Sequence, residues 1–180
     1  MFVHRIDEDL ELRLIEVGDA ERIFELTDRH RSNLRTWLPW VDHTESKEDT
    51  KSAIRNFLHG YAENQSMTVV ILFQDVIVGM ASYNKLDWTN KIAYIGYWLA
   101  EDYQGRGIMT KTVKSLTTHA FSSMGMNKVD IRAASENRAS CAIPERLGFT
   151  QEGVLRDQEW VNDHFVDHVV YGMLRKEWEN

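Results

Sequence analysis

The chain has little with which to staple or interrupt itself: among its 180 residues are one cysteine, Cys141, and two prolines, Pro39 and Pro144. A single cysteine excludes an internal disulfide framework and is compatible with a reducing compartment. No apolar run reaches membrane-spanning length, and Met1-Phe2-Val3-His4-Arg5-Ile6-Asp7 carries charges where a secretory signal would be apolar. The expected location is therefore cytoplasmic, with no membrane partner. Clusters of Lys and Arg are missing too, and the formal net charge is -7, so a nucleic-acid surface is not expected. An acidic surface favours a cationic acceptor such as an amine, a polyamine or a basic protein, but many soluble proteins are acidic for solubility alone. Repeats, low-complexity tracts and linkers are absent. At this length, with 43% apolar residues, one domain over residues 1–180 is expected.

What is present is a regular alternation of strand and helix patterns. Leu10 to Leu14 alternates apolar and polar and reads as a first strand, followed by a helix from Asp19. Ser46-Lys47-Glu48-Asp49 has the form of an acidic capping box, and Ala53, Ile54, Phe57, Leu58 and Tyr61 share one helical face behind it. Thr68 to Phe73 and Val76 to Leu86 flank Gln74-Asp75 as a hairpin, and Lys91 to Leu99 supplies another strand. Met109, Val113, Leu116, Ala120 and Met124 mark a helix ending near Gly125, and Lys128 to Ala133 reads as a strand. Residues 138–147 predict a short helix stopped by Gly148. Gly153 to Trp160 and Phe165 to Leu174 close the chain as two strands joined by Asn162-Asp163.

The segment richest in chemistry is Gln104-Gly105-Arg106-Gly107-Ile108-Met109-Thr110, placed between the strand Tyr94 to Leu99 and the helix pattern after it. Glycines at 105 and 107 let main-chain amides approach an anion, and the helix beginning near Ile108 points its unpaired N–H groups the same way. The spacing is neither G-x-G-x-x-G nor G-x-x-x-x-G-K-[ST], which disfavours a dinucleotide or nucleotide-triphosphate site.

The segment resembles the Q/R-x-x-G-x-G/A pyrophosphate loop of the GNAT acyltransferases, with Gln104, Gly107 and Met109 in the three defined positions. Met109 stands where that pattern has a small residue. Asn137-Arg138-Ala139-Ser140 and Glu145-Arg146-Leu147-Gly148-Phe149 resemble the family's N-x-x-S and E-K-L-G-F elements. Asn33 to Val41, with Trp37, Pro39 and Trp40, and Ile95-Gly96-Tyr97-Trp98-Leu99 look like signatures of the Rim-type ribosomal-protein N-terminal acetyltransferases. The resemblance implies an α/β (α+β) GNAT fold: a mixed, mostly antiparallel seven-stranded sheet flanked by about four helices, with a central strand pair that splays to hold pantetheine.

It also implies acetyl-CoA as cosubstrate and an amine acceptor, a ribosomal-protein N-terminus in the Rim-type case, and it permits a homodimer. By register with the loop, the Leu99 N–H takes the position that faces the thioester carbonyl, where a fixed donor stabilises developing negative charge. The amides of Gly105, Arg106, Gly107, Ile108, Met109 and Thr110 would hold the pyrophosphate, Gln104 would brace the loop, and Asn137 would meet the pantetheine arm. The Arg106 side chain has two readings, a phosphate contact or a solvated cation. Ser140 falls where Rim-type members place a hydroxyl near the departing thiolate and is the candidate general acid, with a helix cap as its structural alternative. Pro144 would leave the Ser140 carbonyl without its usual helical donor, so irregular backbone is expected there. Glu159 matches a Rim-type glutamate and is the candidate general base, ahead of Glu152, Asp157 and Asp163. Trp37 is the candidate for lining the acceptor tunnel.

Two constellations are set aside. Cys141 lacks a recognisable nucleophile motif and reads as a small buried hydrophobe. His164 and His168 are spaced i, i+4 on a strand or turn, where they need not converge, so no metal is expected. The acceptor itself can be weighed by acid–base chemistry. An α-amine is roughly a tenth neutral at pH 7 and a lysine amine about 0.04%, a difference of about 3 to 4 kcal/mol, so a site with one carboxylate base suits the α-amine. Polyamines, aminoglycosides and other small amines remain alternatives, as does a non-catalytic acyl-CoA-binding module.

Overall fold

The computed structural model describes residues 3–178. Among the described residues eight strands form one sheet: β1 (His4–Arg5), β2 (Leu10–Leu14), β3 (Met67–Phe73), β4 (Val76–Asp87), β5 (Ile92–Leu99), β6 (Lys128–Ala134), β7 (Thr150–Val161) and β8 (His164–Leu174). Their spatial order is β1-β2-β3-β4-β5-β6-β8-β7. The strand beyond the expected seven is β1, two residues paired with Leu12 and Glu11, too short to leave an alternation in sequence. Helices α1 (Ala20–Arg29), α3 (Lys47–Ala62), α4 (Ile108–Ser122) and α5 (Arg138–Arg146) are the four long ones. Single-turn α2 (Arg31–Leu34) and α6 (Arg175–Trp178) accompany them.

Local chemistry explains where the elements begin and turn. At the start of α3 the Asp49 N–H donates to Ser46 Oγ at 3.3 Å, and the Ser46 N–H donates to Asp49 Oδ2 at 2.9 Å. Two orphan amides are thereby satisfied, as the capping box predicts. The β3–β4 turn puts both Gln74 and Asp75 at positive φ, 50° and 63°, the twist that a two-residue hairpin demands. A buried Arg13–Asp19 pair, with N···O of 2.6 Å, ties β2 to the turn that launches α1.

Apolar packing lies on both faces of the sheet. On one, Tyr83, Ile95, Val113, Leu116, Val129, Ile131 and Ile143 join α4 and α5 to the strands; on the other, Ile23, Leu26, Leu34, Ile54, Val70 and Trp98 join α1, α2 and α3. The Tyr83 hydroxyl, deep in the first cluster, donates to the Leu116 carbonyl at 2.6 Å.

The feature that makes a site is the β5–β6 pair, the sheet's parallel neighbours, with α4 as their crossover. Their ladder runs from Ile92↔Lys128 to Ile95↔Ile131 and stops. β5 continues to Leu99 against β4, and β6 continues to Ala134 against β8. Beyond Ile95 and Ile131 the two strands belong to different neighbours and part. This is the expected splayed pair.

Candidate active site

A cleft of about 1340 Å³ runs through the parting. Its floor at one end is the glycine loop. Gly105 and Gly107 both have φ of +74°, a conformation costly to residues with a Cβ, and nothing lies within 4 Å of where that Cβ would stand. Gly107 caps α4 without a side chain. The Lys111 N–H makes the first helical bond, to the Gly107 carbonyl at 3.1 Å. Helix geometry therefore leaves the amides of Ile108, Met109 and Thr110 without helical acceptors. Gln104 Nε2 donates to the Leu99 carbonyl at 3.3 Å, bracing loop against strand. Met109 is 6% exposed and joins the core, so its bulk leaves the anion-facing side clear.

Two further residues complete or correct this end. Arg146 Nη1 donates to Thr110 Oγ1 at 2.8 Å, bringing a cation to the first turn of α4. It stands in Glu145-Arg146-Leu147-Gly148-Phe149, quoted for the resemblance but not singled out for a role. Arg106 points elsewhere: its guanidinium donates to the Asp102 carbonyl at 3.2 Å and sits 5.5 Å from the centre of the Tyr103 ring. Its side chain is outside the cleft lining, which supports the solvated reading over the phosphate contact.

Leu99 lies where the strands have parted. The next residue, Ala100, donates its N–H to the Val78 carbonyl at 2.9 Å. Successive residues of a strand point their N–H groups to opposite neighbours, so the Leu99 N–H faces β6, across the gap where no ladder remains.

Across the gap, α5 is capped by Asn137, whose Oδ1 accepts the Ser140 N–H at 3.2 Å. The capping alternative for Ser140 thus falls to Asn137, whose Nδ2 stays free to donate to a ligand. Pro144 does not break the helix. Tyr97 on β5 donates its hydroxyl to the Ser140 carbonyl at 2.9 Å, supplying the donor that proline lacks. Burial pushes the Tyr97 hydroxyl well above its ordinary pKa, so it remains a donor at any working pH.

Glu159 also lines the cleft, 37% exposed, and its Oε2 meets His168 Nε2 at 3.0 Å. His168 is a site residue that the sequence reading passed over, having weighed it only as a metal ligand. Counting back from the Asn162-Asp163 turn places Glu159 opposite Val166, on the strand face that His168 shares. That register was available in the sequence. Glu152 bonds Lys128, Asp163 bonds His164, and Asp157 lies in a bulge; none of the three lines the cleft.

The far wall carries Trp37 and Trp40. Their segment is held by arginines: Arg31 donates to the carbonyls of Val41 and Thr44 at 2.6 and 2.7 Å, and Arg35 grips Asp42 through two bonds of 2.8 and 2.7 Å. Asn162 Nδ2, at the β7–β8 tip, donates to the Arg35 carbonyl at 3.0 Å and joins that hairpin to the tryptophan segment. Among the described lining residues Glu159 is the one carboxylate, whereas Lys111, Arg132 and Arg146 are cationic. Cys141 is buried with its thiol directed at the Ala134 carbonyl, 3.6 Å away, and burial raises its pKa, as befits a hydrophobe and not a nucleophile. Among the described residues no group of three or more His, Cys, Asp or Glu could hold a metal ion, and no helix is long and apolar enough to cross a membrane.

The fold recurs in known proteins. The acetyltransferase (GNAT) domain family matches residues 9–150. YdaF of Bacillus subtilis is 37% identical over 99% of this chain and 98% of its own, and the ribosomal-protein-serine acetyltransferase of Escherichia coli is 28% identical over 94% and 95%. The solved structure of RimL, a ribosomal L7/L12 alpha-N-protein acetyltransferase in complex with coenzyme A, superposes with a TM-score of 0.94. It is 27% identical, with 98% of this chain and 99% of that one covered. With its parted strands, glycine loop and a family match over most of its length, the chain belongs to the GNAT acetyltransferases.

Proposed function

We propose that this protein transfers the acetyl group of acetyl-CoA to the N-terminal α-amine of a ribosomal protein, with both substrates bound together. The observation that carries the acceptor class is the lone carboxylate of the cleft, Glu159. A polyamine or aminoglycoside brings several cationic groups, each needing an anionic partner once desolvated, whereas an α-amine brings one. Similarity to the E. coli ribosomal-protein-serine acetyltransferase and to RimL supports the ribosomal choice.

The residues present fit coenzyme A. Positive-φ glycines without obstruction, the helix-start amides and Arg146 form an anion cradle, and the parting of β5 and β6 makes room for a narrow arm. The coenzyme, when bound, supplies an activated thioester. The chain's own residues do the rest. Ile108, Met109 and Thr110 amides orient the phosphates, and the Leu99 N–H donates to the carbonyl oxygen as negative charge builds there. Glu159 takes the proton from the attacking amine, directly or through a water, and Ser140 gives one to the departing sulfur; Ser140 regains its proton from solvent as Glu159 releases the other. Trp37 and Trp40 flank the acceptor's path. The reading extends to a cytoplasmic homodimer, which sedimentation velocity tests.

The test is thiol release from acetyl-CoA across a panel of ribosomal-protein N-terminal peptides, polyamines and aminoglycosides. Turnover on α-amine peptides is expected. Turnover confined to small amines overturns the ribosomal reading, and coenzyme binding without turnover on any acceptor marks a binding module.

A further inference from the structure

We infer that His168 is the positioning residue for Glu159: its imidazole holds one carboxylate oxygen so that the other is presented to the acceptor amine. The inference rests on Glu159 being the base. Glu159 belongs to β7, the outermost strand of its side of the sheet, and follows directly on an irregular stretch. The ladder goes from Leu155↔His168 to Glu159↔Val166, so Arg156, Asp157 and Gln158 stand against Asp167 alone. This is a β-bulge carrying two extra residues. Asp157 there has φ of +47°, and its N–H donates to Asp167 Oδ1 at 2.9 Å. Counted from the base of the hairpin, the bulge draws Glu159 back by two residues, about 7 Å along the strand, from opposite His164 to opposite Val166. Opposite Val166, as the turn register also has it, Glu159 is a diagonal neighbour of His168.

The two partners differ in how firmly they are held. His168 sits on β8, paired on one side with Ala134 of β6 and on the other with Leu155 of β7, and it is 17% exposed. Glu159 has a strand neighbour on one side and is twice as exposed. A flexible carboxylate in that setting loses its reacting geometry unless something fixes it. The Nε2···Oε2 contact of 3.0 Å provides the fixing. An ionised carboxylate has no proton to give, so the contact requires His168 in the Nε2–H form, with Oε1 of Glu159 left to accept from the amine.

The variants His168→Leu, His168→Gln, Glu159→Gln and the double variant Glu159→Gln/His168→Leu test this on the fastest peptide of the panel, with folding followed by thermal melting. His168→Leu is expected to lower kcat about tenfold while the KM for acetyl-CoA stays within about twofold. His168→Gln, whose amide donates to the same oxygen, is expected to recover most of the loss. In the Glu159→Gln background the leucine should add nothing. Independent of turnover, the ¹⁵N shifts of His168 should report the Nε2–H form and lose that bias in Glu159→Ala. Losses that multiply, a glutamine no better than leucine, or an Nδ1–H imidazole overturn the inference. Full kcat in Glu159→Gln overturns instead the assignment of Glu159 as base, so the two failures are distinguishable.

Discussion

At its glycine-loop end the cleft is made of main chain, the amides of Ile108 to Thr110 beside two glycines at φ of +74°, whereas at its tryptophan end it is made of side chains carried by distant elements. Trp37 follows α2, Glu159 and His168 face each other across the C-terminal hairpin, and arginine contacts hold the tryptophan segment in place. A site of backbone reads a group common to every reaction the family performs, and few residue types can build it. A site of side chains can be rewritten one residue at a time without disturbing the fold. Coenzyme binding at one end and acceptor chemistry at the other are therefore separable by mutation.

The largest break in that comparison should come from Glu159→Gln, with kcat down about 10²- to 10³-fold. Coenzyme affinity by calorimetry should be unchanged, since the carboxylate lies at the acceptor end. The converse is Gly107→Ala: a Cβ at φ of +74° costs about 1 to 2 kcal/mol, so coenzyme Kd should rise about tenfold while kcat at saturation is largely kept. Arg146→Gln should raise the KM for acetyl-CoA about three- to tenfold and leave acceptor KM alone, because its guanidinium sits on the first turn of α4. The smallest effect belongs to Tyr97→Phe, which strands the Ser140 carbonyl beside Pro144 and should cost about 1 kcal/mol in thermal or urea unfolding. Reversal of the first two outcomes, with coenzyme affinity lost in Glu159→Gln and kcat lost in Gly107→Ala, would erase the division between the ends.

The same division governed what could be read from the residues alone. The loop was legible because positive-φ glycines before a helix are a local pattern, and Met109 at 6% exposure shows that its bulk belongs to the core. Strand and helix positions followed from periodicity to within a few residues. β1 escaped because two residues carry no period, and the Arg156 to Gln158 bulge escaped because nothing in Arg-Asp-Gln distinguishes it from continuing strand. His168 escaped for a related reason: its partner is nine residues away across a hairpin, and its i, i+4 spacing to His164 is a helical spacing that means nothing on a strand. Asn137 and Ser140 stand together in one motif, but which of them caps α5 depends on backbone angles that the residue types do not fix.

The hydrogen bond from Asn162 to the Arg35 carbonyl spans 127 residues, and β8 enters the sheet between β6 and β7 although it is last in sequence. Contacts of such separation form late, because the intervening loop must be closed before they reward the chain. As the polypeptide leaves the ribosome, the tryptophan segment is made early and waits for Glu159 and His168 to arrive from the other end. The acceptor wall is thus finished by the last strands to emerge, and a nascent chain still lacking them has its glycine loop synthesised but neither Glu159 nor His168.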